Sequence, residues 1–319
     1  MQALILAAGE GKRIKPIITS KPLIPFGGQT LLDRAISNLK TMGINKFLVV
    51  VSPKDKDKLK SYPIVVQPEP NGMAGAVLAT RSVLVGPTVV VNGDDLIDPK
   101  IIQQFYKQIN KTPDQIVLTG FKSKKSLSGG YFDGLKIVEK PVKRPSNWLK
   151  LVLDYFPKIE KFISVLESTK FDKDDVYEQA LNRLNNLSLV KAAGYFQPLK
   201  YPWQILEMTQ IFLTKCIKPD IDKTAKIFPG SYIINSYVGP NVVIGHNVLV
   251  RDSIVESDTV VGYGEIIPGR IKLGAIMARG SQLGVNASVM PGVSLGAKAI
   301  VGSGLVLAKS LEAGEFKKN

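Results

Sequence analysis

The sequence predicts an α/β domain with a largely buried sheet, followed by a parallel β-helix. Two patterns carry that expectation. Over the first two-thirds, short apolar strands alternate with amphipathic helices. From Ile221 onward the helical periodicity stops and a six-residue beat takes its place.

The first element is "QALILA" at 2–7, an apolar strand that runs into the glycine loop "AGEGKR". In "TLLDRAISNLKTMG" the residues Leu31, Leu32, Ala35, Ile36, Leu39 and Met42 recur at helical spacing, and Gly43 stops the helix. "KFLVVV" at 46–51 and "PTVVVNGDD" at 87–95 are further strands, the second with a polar end. Asp98 is placed to cap the helix that Pro99 opens. "QIVLTGF" and "LKIVEK" read as strands. Strands that are apolar throughout argue for a sheet covered on both faces, and such sheets bind ligands beyond the carboxyl ends of their strands. The glycine loop and "NGDD" both fall on that edge.

Between the halves, Pro202 opens a helix whose Trp203, Ile205, Leu206, Ile211, Phe212 and Leu213 are expected to seat it on a core, and Pro219 closes it. The beat then appears at Ile221, Ile227 and Ile233, at Val238, Ile244 and Val250, and at Leu283, Val289, Leu295, Val301 and Leu307. Small or β-branched residues stand two places earlier, at Ser236, Val242, Val248, Ala287, Val293 and Ala299. Each hexad is one face of a coil, with the aliphatic residue inside and the glycine that follows it giving a tight corner. The beat breaks over 263–282, where a loop or bulge is expected. The domains are accordingly set at 1–215, 221–308 and a charged tail at 309–319.

Bulk properties narrow the class. Hydrophobic residues make up 45% of the 319, enough for real cores, and no run is long enough for a membrane span. The chain opens directly on a strand pattern with no signal-peptide layout, so a cytoplasmic location is expected. A lone Cys216 excludes an intrachain disulfide, and a lone His246 excludes a His-rich zinc site. The net charge of +15 favours anionic partners. Its lysines are scattered, so nucleic-acid binding is the minority reading beside a solvated lysine-rich surface.

"GEGKR" fits neither a P-loop, which needs Gly at position 6 where Leu6 stands, nor a dinucleotide fingerprint, which needs Gly where Ile14 stands. Taken alone it is a glycine turn with two cations. It does not stand alone. "LAAGEGKRIKP", "SKPLIP", "VQPEPNGMAGAVLA", "VVVNGDD" and "IVEKP" follow one another in the order of the sugar-1-phosphate nucleotidylyltransferase motifs. The chain resembles that family over residues 1 to about 215, and with its hexads it is most similar to archaeal-type proteins that fuse such a domain to a β-helix acyltransferase.

The resemblance implies a Rossmann-like nucleotidyltransferase domain followed by a left-handed parallel β-helix. It implies that an NTP and a sugar 1-phosphate react to give an NDP-sugar and pyrophosphate. Ala8, Gly9, Gly11 and Lys12 would lie along the nucleotide, Arg13 would neutralise its triphosphate and Lys21 its α-phosphate. Gln67 and Gly72 would meet the base, Glu139 and Lys140 the sugar and its phosphate, and Asp94 would hold Mg²⁺. The β-helix implies a homo-oligomer, specifically a trimer.

Several residues depart from the family pattern. Lys12 replaces a small hydroxyl residue, Met73 replaces a threonine, and Pro198 falls where a second metal-binding aspartate is aligned. "SNWLKLVLDYF" lacks the Asn and Gly that relatives use around the sugar. A non-catalytic regulatory or scaffolding paralogue that binds nucleotide or sugar phosphate is therefore the alternative to an active enzyme. His246 sits at a hexad corner, in the place Pro240 holds one hexad earlier, so acetyltransferase activity is expected to be absent.

Overall fold

The computed structural model describes residues 1–14, 19–123, 127–170, 175–216, 219–261, 265–266, 276–290 and 293–318. Its contacts divide into two compact units, Met1–Glu10 with Leu32–Phe196, and Gly11–Leu31 with Gln197–Asn319.

In chain order, β1 (Gln2–Ala7) is followed by a short hairpin of β2 (Pro25–Phe26) and β3 (Gln29–Thr30), then by α1 (Leu31–Thr41). Next come β4 (Phe47–Val51), β5 (Ile64–Val66), α2 (Gly72–Leu78), β6 (Thr88–Asn92), β7 (Leu96–Ile97) and α3 (Pro99–Lys111). The first unit closes with β8 (Ile116–Lys122), β9 (Gly130–Asp133), β10 (Lys136–Glu139), β11 (Trp148–Phe156), α4 (Ile159–Glu167), α5 (Val176–Asn182) and β12 (Leu187–Ala192).

Nine of these strands build one sheet among the described residues, ordered β10-β9-β11-β6-β1-β4-β5, with β8 joining β11 to β12. β1 lies in parallel between β4 and β6, and β5 extends the parallel block beyond β4. Chain order thus reverses at β1, a switch point of the kind where α/β sheets bind ligands. The sheet is not wholly parallel, because β11 runs antiparallel to β6, β8 and β9. β11 is buried along nearly its whole length despite carrying Lys150 and Asp154. Both faces are covered, as a sheet of Val, Ile and Leu strands requires. On one side Leu4, Leu6, Val50 and Val90 pack with Phe132, Phe156, Phe162 and Tyr177.

Asp98 caps α3 as expected: its Oδ1 accepts from Lys100 N at 2.9 Å. The helix after Pro202 is α6 (Gln204–Ile211), and it continues as a π-turn over Phe212–Cys216. Ile205, Phe212 and Leu213 are buried there, but Trp203 is 53% exposed. Trp203 precedes the helix and stacks on Tyr201, with centroids 4.6 Å apart, instead of entering a core.

From Asp220 the chain winds through two- and three-residue strands that pair in parallel with the strand one coil later. Val238, Ile244, Val250, Leu295, Val301 and Leu307 fill the interior as the beat predicts. Ile221 and Ile227 do not: they are 44% and 36% exposed. They lie in the first coil, whose strands pair, among the described residues, with the coil above alone. The ladder also runs past residue 308, since Phe316–Lys317 pairs with Ile300–Val301. The break over 263–282 lies largely outside the described residues.

The corners work differently from the expectation. Positive φ falls on Asn241 (57°), Asn247 (54°), Asn286 (56°) and Lys298 (61°) among other corner residues, and each of these four stands two residues after a hexad glycine. The hexad glycines are needed for close approach instead. A Cβ on Gly284 would stand 2.5 Å from Ser303 N, and one on Gly296 2.5 Å from Ala313 N. Asn tolerates the left-handed turn, and its side chain bridges coils: Asn241 Nδ2 donates to Asp258 Oδ1 at 3.1 Å.

Candidate functional site

The parallel register sets the first group of site residues. Leu6 pairs with both Val50 and Asn92, and Val66 lies beside Val51. The strand ends at Ala7, Val51, Val66 and Asn92 therefore share one sheet edge. Ala8 is half-buried there, and Gly9 is exposed.

Gly93 brings the metal segment against β1. Its N–H donates to Leu6 O at 2.9 Å, and a Cβ would stand 3.1 Å from Ile5 Cγ2 and 3.3 Å from Leu6 O. Asn92 Nδ2 donates to Asp95 Oδ2 at 2.9 Å, which fixes the turn around half-buried Asp94. Among the described residues, no group of three or more His, Cys, Asp or Glu gathers to hold a metal. Asp94 offers an oxygen donor of the kind Mg²⁺ takes, since that ion uses one or two protein carboxylates and fills its shell with phosphate and water.

Gln67 follows β5, its N–H donating to Val51 O at 2.9 Å. Its side chain is only 5% exposed and donates through Nε2 to Gly72 O at 3.2 Å. Gly75 leaves room for that amide, since a Cβ there would come within 2.8 Å of Nε2. Gly72 itself is exposed with φ +66° at the start of α2, and Met73 packs against the core.

Gly11, Lys12, Arg13 and Lys21 belong to the second unit. Gly11 takes φ +67°, and Ile14 N donates to Gly11 O at 3.1 Å to close a single turn. Buried Ile14 anchors the turn and leaves Lys12 and Arg13 exposed. The Arg13 guanidinium lies 5.7 Å from the Tyr201 ring centroid. Lys21 opens a second single turn, Lys21–Leu23, closed by Leu23 N donating to Ser20 O.

Glu139 ends β10 and Lys140 follows it. Lys140 holds φ +44°, a left-handed conformation that costs a non-glycine residue energy, and its N–H donates to Gly129 O at 3.2 Å. Beside this strand lies a buried charge cluster that the motifs did not disclose. Lys150 Nζ stands 2.7 Å from Asp154 Oδ2, both side chains almost fully buried. Tyr177 donates its hydroxyl to the same oxygen at 2.9 Å, while Asp154 Oδ1 has no hydrogen-bond partner.

Asn182 fastens α5 to β10: Ile137 N donates to its Oδ1 and its Nδ2 donates to Ile137 O, both at 2.8 Å. Glu178 is one turn earlier on α5, and Glu139 is two residues further along β10, so both carboxylates follow from the same clamp. The Oε2 of Glu178 is buried without a partner. Burial, and next the charge of Glu139, push its carboxyl up to about 7 against the pull of Lys150. Burial likewise raises Asp154, outweighing Lys150 and Tyr177.

One sequence signal could have found this cluster. Lys150 and Asp154 interrupt the apolar run "WLKLVLDYF" four residues apart, which puts them on the same face of a strand. His246 is exposed in a coil turn, its ring 5.0 Å from that of Phe228.

Gly9 after β1 and the acidic turn after β6, on one edge of a mixed sheet at its switch point, are features of a nucleotide-handling α/β protein, here with an appended β-helix. A family profile for the MobA-like NTP transferase domain matches residues 3–210, and the chain belongs to that family. The membership makes it a transferase of the nucleotidyl class. It is 25% identical to a bifunctional sugar-1-phosphate nucleotidylyltransferase/acetyltransferase of Sulfurisphaera tokodaii, over all of both chains. That alignment runs over 406 positions, more than the 319 residues here, so the relative carries residues that this chain lacks. It is 24% identical to the bifunctional protein GlmU of Methanocaldococcus jannaschii, over 99% of this chain and 97% of the relative. A solved structure from Bacillus anthracis, named as a glucose-1-phosphate thymidylyltransferase, matches its fold with a TM-score of 0.57 at 19% identity, covering 69% of this chain and 97% of that one. Among the described residues, no helix is long and apolar enough to cross a membrane.

Proposed function

We propose that the protein transfers a nucleotidyl group from an NTP to a sugar 1-phosphate. A phosphate oxygen of the sugar 1-phosphate attacks the α-phosphorus, the α–β bridging P–O bond breaks, and pyrophosphate leaves. Charge is spread over many oxygens in this reaction, so the protein's work is positioning and neutralisation. What supports the reading is the shared edge of β1, β4, β5 and β6, on which Gly9, Gln67 and Asp94 follow successive strand ends.

Ala8, Gly9 and Gly11 offer backbone N–H groups to the nucleotide, since glycine lets phosphate come close. Lys12 and Arg13 neutralise the triphosphate, and Lys21 the α-phosphate. Gln67 holds Gly72 as the wall for the base. Glu139 and Lys140 bind the sugar and its phosphate, and the left-handed backbone of Lys140 fits a residue held for function. Asp94 would hold Mg²⁺, which supplies charge neutralisation at the phosphates when bound.

Residues 1–215 are assigned the transfer, 221–308 the assembly of a homotrimer, and 309–319 is the charged tail. The reaction is placed in the cytoplasm. Acetyl transfer is absent in this reading: His246 stands at an exposed corner against Phe228, and the chain is shorter than its bifunctional alignment.

The test is a panel of NTPs and sugar 1-phosphates with Mg²⁺, following pyrophosphate. The expected result is release from at least one pair, cut at least ~100-fold by Asp94→Asn. Nucleotide binding without release from any pair would favour the regulatory paralogue. Acetyl-CoA consumption lost in His246→Ala would overturn the single activity.

A further inference from the structure

The second unit contains a grip that links the β-helix to the segment carrying Lys21. β2 and β3 form a hairpin with a two-residue loop, Pro25 opposite Thr30 and Phe26 opposite Gln29. The loop residues Gly27 and Gly28 have φ of 62° and 77°, the pair of positive values that a type I′ turn demands. In such a turn the N–H groups of both loop residues point away from the ladder and find no partner within the hairpin.

Here one side chain meets both. Glu256 accepts from Gly27 N through Oε1 at 2.8 Å and from Gly28 N through Oε2 at 3.1 Å. Glu256 is 8% exposed and directly follows the coil strand Ile254–Val255. The neighbouring coil brings Tyr237, whose hydroxyl lies 3.8 Å from where a Cβ on Gly28 would stand. Hydrogen bonds to an ionised carboxylate are stronger than neutral ones, and two of them fix orientation as well as distance.

The hairpin passes that restraint back to Lys21. Leu31 N donates to Ile24 O at 3.2 Å, and Ile24 N donates to Lys21 O at 3.2 Å. The Phe26 ring stacks on Phe212 with centroids 4.6 Å apart and planes 19° apart. From the tip at Gly27–Gly28 to the carbonyl of Lys21 there is a continuous set of contacts.

We propose that Glu256 is a positioning residue for Lys21, so that the β-helix does more than assemble the protein: it seats the phosphate-binding arm. The kinetic consequence rests on the function proposed above, whereas the grip itself does not.

The full-length chain is compared with Glu256→Ala and Glu256→Gln. Asn241→Ala, which loosens a coil corner through Asp258, is the structural control. Amide hydrogen exchange is read at Gly27, Gly28, Lys21, Leu23 and Ile24, and pyrophosphate release is resolved into kcat and KM. In Glu256→Ala the hairpin amides exchange about 10-fold faster or more, while amides of Val243–Ile244 and Val260–Val261 keep their rates. The kcat falls about 10-fold, with KM for the sugar 1-phosphate unchanged within about 2-fold. Gln retains one acceptor and lies between. The control lowers the melting temperature and leaves hairpin exchange and kcat alone.

Unchanged hairpin exchange in Glu256→Ala overturns the grip, and a loosened hairpin with normal kcat overturns the positioning role. If the wild type releases no pyrophosphate from any pair, the proposed reaction falls instead. The exchange data then still decide the grip, and an NTP affinity unchanged by Glu256→Ala overturns the positioning.

Discussion

Glu178→Gln isolates one buried proton. The Glu178 carboxyl moves from 4.5 to about 7, first through burial and next through the charge of Glu139. In the unfolded chain it ionises near its ordinary value, while the folded protein keeps the proton until about pH 7. Between those values the unfolded state binds fewer protons, so stability falls as pH rises, and the loss is complete above about pH 7. At 1.36 kcal/mol per pH unit the shift amounts to about 3 kcal/mol. Glutamine keeps the shape and cannot ionise, so the variant loses this slope. Lys150, Asp154 and Glu139 face the same position and remain in both proteins, so the difference between the two profiles belongs to Glu178. The assay is urea unfolding at half-unit steps from pH 4.5 to 8. Wild type and variant should be closest at the acid end, with the variant gaining about 3 kcal/mol relative to wild type by pH 8. Parallel profiles across the range would refute the buried proton.

Three other changes probe the frame. Lys150→Met leaves Asp154 buried beside Tyr177 alone and should cost about 3–5 kcal/mol at pH 7, largely restored when Asp154→Leu is added. Chemical unfolding of the single and double variants checks it. Asp98→Ala removes the α3 cap and the bond from Tyr195 N, which accounts for about 1–2 kcal/mol on the same assay. Gly284→Ala drives a methyl into Ser303 N and Gly302 C of the next coil, and thermal unfolding should show a loss of about 1–3 kcal/mol.

What could be read from the sequence follows from how local each signal is. The strand ends were legible because apolar runs stop at "AAGEG" and "NGDD", and the hexad interior because a six-residue beat fixes which residues face inward. The Asp98 cap was legible for the same reason, as its partner is two residues away. The corners were misread because a glycine after each aliphatic residue fits either a positive φ or a close approach. Only the stacked coils show that Gly284 serves the second and Asn286 the first. β11 escaped notice because Lys150 and Asp154 spoil its apolar pattern, and their pairing with each other and with Tyr177 is tertiary. Glu256 offered no signal at all: its partners are two backbone N–H groups more than 220 residues away in sequence.

The central claim is transfer of a nucleotidyl group, and phosphorus NMR of a reaction mixture containing NTP, sugar 1-phosphate and Mg²⁺ tests it most directly. The expected spectrum shows an NDP-sugar diphosphate and free pyrophosphate growing in equal amounts as the sugar 1-phosphate signal declines. Orthophosphate and NDP appearing with the sugar 1-phosphate untouched, or an unchanged spectrum for every pair, would contradict it.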